Sequence, residues 1–254
     1  MLCPRWTVLA ALALLAQPAR ADEFRPLFNG KDLDGWVVEG NPGSDRLADG
    51  RPVWTVENGL IRCAGKGFGF LRYDRAQFAD FSLRVSFRMA PKCNSGIGFR
   101  TRVYDPERSH ETRPSFYSYE IQLIDDGKPP SKTSCGSLYR YVAPRENALK
   151  PAGEWNEIEV TCVGPRIRVV LNGRSIQDVD QSTIPVLKDK PLKGHVCLQN
   201  HGGRIEFRDV KVRELGAGQG GDDGPARPDV APCYGADVRQ PVSGRGLGSP
   251  SMRW

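Results

Sequence analysis

Apolar and polar positions alternate in short runs along most of this chain. Residues 81–88 read Phe-Ser-Leu-Arg-Val-Ser-Phe-Arg, apolar at every second position. That two-residue period sends one side of a strand into a core and the other outward. Comparable runs occupy 155–163, 166–171, 174–179, 195–201 and 205–212, with further strands expected at 96–100 and 118–124. Turn residues separate them. Asn58-Gly59 joins 53–56 to 60–63, and Asn172-Gly173 joins 166–171 to 174–179. Both dipeptides supply the positive φ angles of a two-residue hairpin turn. Beyond residue 21 no stretch sustains a 3.6-residue period for three turns. The pattern therefore predicts an all-β chain of about ten strands folded as an antiparallel β-sandwich. Two long polar connections, 101–118 and 127–151, interrupt the rhythm and are expected to shape a binding cleft.

The strand 119–126, Tyr-Glu-Ile-Gln-Leu-Ile-Asp-Asp, is unusual within this pattern. Tyr119, Ile121 and Leu123 share one face, which leaves Glu120 and Gln122 together on the other. Asp125 has the opposite parity, and a bulge would bring it round beside them. Two carboxylates and an amide on one sheet wall suit the binding and cleavage of a sugar. The plainer alternative is a solvated strand face.

The ends of the chain read differently. Arg5, the apolar run 6–16 and Ala19-Arg20-Ala21 have the form of an export signal with its cleavage site. The run is too short to span a bilayer. The expected organisation is a signal peptide at 1–21, one folded domain at 22–215, and a disordered Gly- and Pro-rich tail at 216–254. The product would be periplasmic or extracellular, with no integral membrane segment after cleavage. The formal charge is +6, with arginines scattered rather than massed. Scattered charge and export together argue against a nucleic-acid partner. No Cys-x-x-Cys pair occurs, which disfavours structural zinc. Cys162 and Cys197 lie within apolar strands and read as buried thiols. Cys93 and Cys135 flank loops and could bridge in an oxidising compartment.

Several segments resemble the 3-keto-disaccharide hydrolase family. They are Leu27-Phe28-Asn29-Gly30-Lys31-Asp32-Leu33-Asp34-Gly35-Trp36, Trp54-Thr55-Val56-Glu57-Asn58-Gly59, Asn94-Ser95-Gly96-Ile97 with Arg100, and Tyr119 through Asp125. The likeness resumes at Gly153-Glu154-Trp155-Asn156, Asn172-Gly173, Leu198-Gln199-Asn200-His201-Gly202 and Glu206-Phe207-Arg208-Asp209-Val210. The resemblance implies a concanavalin A-like jelly roll and the breakdown of glycosides whose sugar carries a ketone at C3. Cys197 departs from the family, which more often has a small glycine-like residue there; a narrower cleft or altered reactivity would follow.

The residues assigned on this basis are His201, Glu120 and Arg100 for catalysis, and Gln122, Asp125 and Gln199 for holding the substrate. His201 has the intrinsic pKa of a general base. It shares a face with Gln199 if strand alternation holds. Arg100 follows Gly96 and Gly98, whose missing side chains leave room for a ligand, and a guanidinium there would hold a developing enolate. The alternative for Arg100 is an ion pair with Glu120. Glu120, Gln122 and Asp125 are also similar to the catalytic strand of laminarinase-type glycosidases, whose two carboxyls stand about 5 Å apart in retaining enzymes.

His195 reads as structural, and His110 as a lid or exposed residue. Trp36, Trp54 and Trp155 read as core. One of Tyr117, Tyr119, Tyr139 and Tyr141 is expected to stack on a sugar. The Gly-rich stretch 65–70 opens no helix and is no phosphate loop. No cofactor is implied with certainty; a divalent metal held by His201 with Glu120 or Asp125 is conceivable in three dimensions. The leading expectation is an exported enzyme whose partner is a 3-keto-glycoside or oligosaccharide. Its rivals are a non-catalytic lectin-like module and an ordinary retaining glycosidase using Glu120 and Asp125.

Overall fold

In the computed structural model, which describes residues 23–216, the alternating run at 81–88 forms a central strand. Phe81, Leu83, Val85 and Phe87 are all buried on it. The expected signal peptide (1–21), nearly all of the expected tail (216–254) and Cys233 lie outside the described residues.

The strands in chain order are β1 (Arg25–Pro26), β2 (Trp36–Gly40), β3 (Trp54–Glu57), β4 (Leu60–Cys63), β5 (Gly69–Tyr73), β6 (Phe81–Met89) and β7 (Asn94–Thr101). They continue with β8 (Tyr119–Ile124), β9 (Asn156–Val163), β10 (Arg166–Leu171), β11 (Arg174–Asp180), β12 (His195–Asn200) and β13 (Ile205–Glu214). The helical content near the site is two single turns, α1 (Ser109–Thr112) and α2 (Pro114–Tyr117), within the connection from β7 to β8.

All pairings between these strands are antiparallel, in two sheets. The larger runs β11-β10-β9-β6-β13-β4-β3, with β1 alongside β13; the smaller runs β2-β5-β12-β7-β8. Their facing sides supply one core, including Leu71, Phe81, Phe87, Ile97, Phe99, Ile121, Ile158 and Phe207, all at most 1 % exposed. The all-β sandwich read from alternation is the observed architecture. Asn58 and Asn172 have φ of 53° and 50°, as the two hairpin turns require. The free edge of β8 is covered by the loop that follows it: Tyr139 N–H donates to Glu120 O at 2.9 Å and Gly136 N–H to Gln122 O at 2.8 Å. A covered edge cannot recruit another strand.

A bulge does occur beside the site, on β7 rather than at Asp125. Cys197 pairs with Gly98, but His195 pairs with Thr101, so two residues of β7 stand opposite one of β12. Arg100 absorbs the extra length with φ 53°, an uncommon conformation for a residue with a side chain. The alternation is broken there, and Arg100 does not share the Gly96–Gly98 face. Its guanidinium is fully buried at the end of the sandwich. Nη2 donates to Ala79 O at 2.9 Å and Gly164 O at 2.8 Å, and Asp80 Oδ1 lies 3.8 Å away. Arg100 is a structural cross-link, not an enolate holder, and it makes no ion pair with Glu120.

Arg100→Ala should therefore act on stability. Stranding two part-buried carbonyls and losing a charge-assisted network around a buried guanidinium should cost about 3 kcal/mol, read as a lower midpoint in chemical denaturation. Arg100→Lys should recover little, because one ammonium cannot reproduce the fork. A loss below about 1 kcal/mol would show that those carbonyls find other donors.

Candidate active site

The register of the smaller sheet decides which side chains meet. Gly98 pairs with Glu120 and Gly96 with Gln122. Gly98 also pairs with Cys197, Cys197 with Arg72, and Gln199 with Phe70. Paired residues project from the same face, so Glu120, Gln122, Cys197, Gln199, Arg72 and Phe70 form one wall, away from the core. The expected partnership of Glu120, Gln122 and Gln199 is present. The two glycines are a steric condition for it. A Cβ at Gly96 would stand 3.0 Å from Glu120 Cγ, and one at Gly98 would stand 2.5 Å from Cys197 Sγ.

The wall is not solvated. Glu120, Gln122, Gln199, Cys197 and Arg72 are each at most 4 % exposed, because the β7–β8 connection folds back over them. Tyr104 packs on Phe70 at 5.1 Å, and Phe68 on both. Pro114, at the start of α2, lies over Gly98. Tyr104 is tied down by its N–H to Glu39 Oε2 at 2.9 Å and its hydroxyl to Asn41 Oδ1 at 3.0 Å. Glu39 in turn accepts from Arg72 Nε at 2.6 Å.

Burial sets the chemistry of Glu120. Its Oε2 has no hydrogen-bond partner, and neither polar atom of the Gln199 amide has one. The amide lies close enough to favour the ionised carboxylate, but outside hydrogen-bonding geometry. Desolvation pushes the Glu120 carboxyl up to about 7, with the Arg113 guanidinium and Gln199 opposing it. His201, just beyond the end of β12, moves the other way. It is an exposed residue, and partial desolvation of its ring together with Arg113 lowers its pKa from the ordinary histidine value. Its ring meets Phe68 edge-on at 5.4 Å, and Arg113 Cζ lies 4.2 Å over that same ring. Arg113 thus links His201 and Glu120 into one locus. Its Nε is buried without a partner, and no described carboxylate forms an ion pair with it.

Other assigned residues go elsewhere. The β7–β8 register is unbroken from Asn94↔Ile124 to Phe99↔Tyr119, so no bulge carries Asp125 onto the wall. Asp125 Oδ2 instead accepts from Lys92 N–H at 2.9 Å in the turn before β7. Without it Glu120 lacks the second carboxyl of a retaining pair, and His201 with Glu120 lacks a third metal ligand from that source. Among the described residues no group of three His, Cys, Asp or Glu side chains could hold a metal ion. Gln122 Nε2 donates to Asn94 Oδ1 at 3.2 Å.

Cys197 belongs to the wall, but burial raises its pKa strongly, so it carries no thiolate. Cys93 and Cys135 are both free, so the bridge considered between them is not formed. His195 is structural as read, bonding Tyr73 O through Nδ1 at 2.9 Å. Trp36 and Trp54 are core; Trp155 is half-buried outside it, between Arg88 and Arg208 at 4.9 and 4.0 Å. Tyr119 is stacked on Phe99 in the core and offers no platform.

Arg113, Phe68 and Tyr104 were not assigned from the sequence. Arg113 and Tyr104 lie in a connection without periodicity, whose length alone marked it. Phe68 lies in the Gly-rich stretch, where the phosphate-loop comparison gave it no role.

The contact between Gly98 and Cys197 gives a stability test. Gly98→Ala should overpack the wall and cost about 1–3 kcal/mol. In a Cys197→Ala background much of that cost should disappear, leaving the closer approach to Thr101 and Pro114. A double-mutant cycle by chemical denaturation reads the coupling. Simple additivity would show that the sulfur is not what the new methyl meets.

Comparison with known proteins bears on this geometry. Residues 23–213 match the 3-keto-alpha-glucoside-1,2-lyase-like domain. A 3-keto-disaccharide hydrolase of Bacteroides thetaiotaomicron is 24 % identical over 81 % of this chain and 83 % of its own. Among solved structures, a candidate glycosyl hydrolase of Parabacteroides distasonis superposes with a TM-score of 0.63 at 22 % identity, over 80 % of this chain and 99 % of that one. The exoplasmic/lumenal domain of VIP36, bound to calcium and Man3GlcNAc, superposes with a TM-score of 0.50 at 10 % identity, over 76 % of this chain and 91 % of that one. The last two likenesses concern the fold, a lectin-like β-sandwich. With the family match spanning nearly all the described residues, the chain belongs to the 3-keto-alpha-glucoside-1,2-lyase-like family of carbohydrate-active proteins.

Proposed function

We propose that this protein is an exported enzyme that cleaves 3-keto-glycosides by elimination, with His201 as base, Glu120 as acid and Arg113 as enolate stabiliser. The observation that carries the reading is the opposed tuning of Glu120 and His201 within one locus. Burial raises the carboxyl to about 7, while partial desolvation and Arg113 lower the imidazole. At neutral pH a protonated acid and a neutral base coexist, which is the pairing an acid–base elimination needs.

A ketone at C3 acidifies the hydrogen on C2. His201 takes that hydrogen as a proton, and the C2–H electron pair moves toward C3, leaving negative charge on the ketone oxygen. Arg113 forms no ion pair with a carboxylate among the described residues and acts electrostatically on both groups, so its charge is available to that oxygen. The electrons then return to form the C1–C2 double bond as the C1–O bond breaks. Glu120 gives its proton to the departing oxygen. The product is an unsaturated ketone, which water hydrates at C1 or which leaves as such. Gln199 and Gln122 supply amide groups for the sugar hydroxyls. The buried Gln199 amide has no protein partner, and a sugar hydroxyl bound there would satisfy it.

Cleavage should require the ketone. A 3-keto disaccharide should be turned over and its unoxidised parent left intact; a retaining glycosidase would cleave both, and a binding module neither. His201→Gln should reduce turnover about a hundredfold or more whatever the leaving group. Glu120→Gln should be equally damaging for an alkyl glycoside but mild for a nitrophenyl one, whose oxygen leaves without a proton. A uniform loss with both leaving groups would remove Glu120 from the acid role.

The pH dependence follows from the same shifts. Below the lowered pKa of His201 the base is protonated and the rate falls. Above about 7 Glu120 ionises and the acid is lost. kcat/KM should therefore be bell-shaped, with an alkaline limb near 7 that Glu120→Gln abolishes. A rate that climbs steadily through pH 8 would contradict the assignment.

A further inference from the structure

Next to this locus lies a second cavity, of about 370 Å³, that the reaction does not use. Phe116 and Tyr117, at the end of α2, form one side; Pro185, Val186 and Lys190 form the other, with Asp189 at the rim. Its size falls within the range of small-molecule sites. It adjoins the active locus through Arg113, whose Cζ lies 4.2 Å over Phe68 and 5.8 Å over Phe116.

Cations outnumber anions around this cavity, with Asp189 as the carboxylate of its lining. Lys190 Nζ donates to Phe116 O at 2.6 Å and lies 4.7 Å over the ring of Tyr141 and 5.7 Å over that of Tyr119. It has no carboxylate partner among the described residues, and burial alone lowers its pKa to about 8. Arg140 lies 4.3 Å over Phe116 and Arg102 3.9 Å over Tyr117. Neither forms an ion pair among the described residues. Arg140 is held at φ 75°, a conformation that costs energy away from glycine and that gathers at ligand-binding places. The nearby acids are engaged or displaced. Glu111 is paired with Arg108, and Asp189 is 88 % exposed with Lys188 Nζ at 4.0 Å. Three cations thus lie against the lining, Lys190 within it and Arg140 and Arg102 on the rings of Phe116 and Tyr117; the one carboxylate of the lining, Asp189, points to solvent beside Lys188. Partly buried charge without a counter-charge is unfavourable, and a ligand that supplied the anion would relieve it.

We propose that this cavity is a subsite for an acidic sugar unit, a uronate or a sulfated residue, adjoining the bond-cleaving locus. The aromatic and proline walls would take the apolar face of the ring, and Lys190 with Arg140 and Arg102 would take the anion. The identification of the ligand as a sugar rests on the carbohydrate reading above; the preference for negative charge rests on this cavity alone.

Equilibrium binding tests it without any cleavage. The ligands are three unoxidised disaccharides alike except in one unit: neutral glucose, glucuronate, or glucose 6-sulfate. Calorimetry at low ionic strength should show the acidic ligands bound at least about tenfold more tightly than the neutral one, with the difference shrinking as salt rises. Comparing glucuronate with sulfate tells which anion the site takes. Lys190→Gln and Arg140→Gln should each reduce the acidic preference and leave neutral binding unchanged. If Lys190→Gln does not fold, Arg140→Gln, on an exposed side chain, carries the test. Equal binding of all three ligands by the unaltered protein overturns the proposal. So does an acidic preference that survives both substitutions, since the anion would then bind elsewhere. A failure of ketone-dependent cleavage with the acidic preference intact would instead remove the reaction and leave the subsite.

Discussion

Glu39 accepts Arg72 on one carboxylate oxygen and the backbone N–H of Tyr104 on the other. The first contact lies within the sheet; the second holds the connection between β7 and β8 down on it. Everything chemical at the site depends on that attachment. A sheet face bearing two amides, a glutamate and an arginine would ordinarily be wetted, and Glu120 would ionise as any surface carboxyl does. With Tyr104, Phe68 and Pro114 drawn over the wall, water is excluded and the charged form of Glu120 becomes expensive. The raised pKa is thus a consequence of how one edge strand holds a loop. The hold is strong because both of its polar partners are themselves buried: the side chains of Arg72 and Glu39 are 5 % and 8 % exposed, and charge-assisted bonds are strongest away from water.

The division of labour between the sheets follows from the same economy of space. Gly96 and Gly98 remove two side chains from the middle of the wall, and the volume they free is occupied by Glu120 and by the Cys197 sulfur. The larger sheet has no such gap. Its outer face is laced with ion pairs such as Arg84–Glu159 and Arg88–Glu206. The more exposed of such pairs add little to stability. The smaller sheet's wall retains a carboxyl oxygen and a whole amide without partners. In a native structure that is a sign of a site rather than of a core.

Much of this arrangement was legible in the sequence, and the misses have identifiable causes. Strand parity placed Glu120 beside Gln122, and the family resemblance brought in Gln199, which the register of β12 sets on the same wall. Parity failed wherever pairing was irregular. Arg100 was put on the wall by alternation and lies at the end of the sandwich because the bulge falls on its own strand. Asp125 was given a bulge it does not have. No periodic signal marks a bulge in advance; it is settled by the packing of both neighbours. Arg113 was invisible for a different reason. It lies in a connection whose conformation is fixed by tertiary contacts to Glu39, Asn41 and Phe68, all more than forty residues away in sequence. Its role emerges only after the loop is folded, whereas the wall it covers can be read from local order.

That one guanidinium occupies the position expected of another has a consequence for how the site is built. An arginine on a strand would be fixed to the wall whether or not the cover is closed. Arg113 belongs to the cover, so the charge proposed to answer a developing enolate and the surface that dries Glu120 are carried by one segment. Were the connection lifted, Glu120 would regain water and ionise, His201 would lose a cation that disfavours its protonated form, and the enolate site would be empty. All three changes are adverse to elimination. On the proposed reaction, coupling them to one segment would make the wall competent only when closed, and an oxidised sugar would be protected there from water until the C1–O bond had broken.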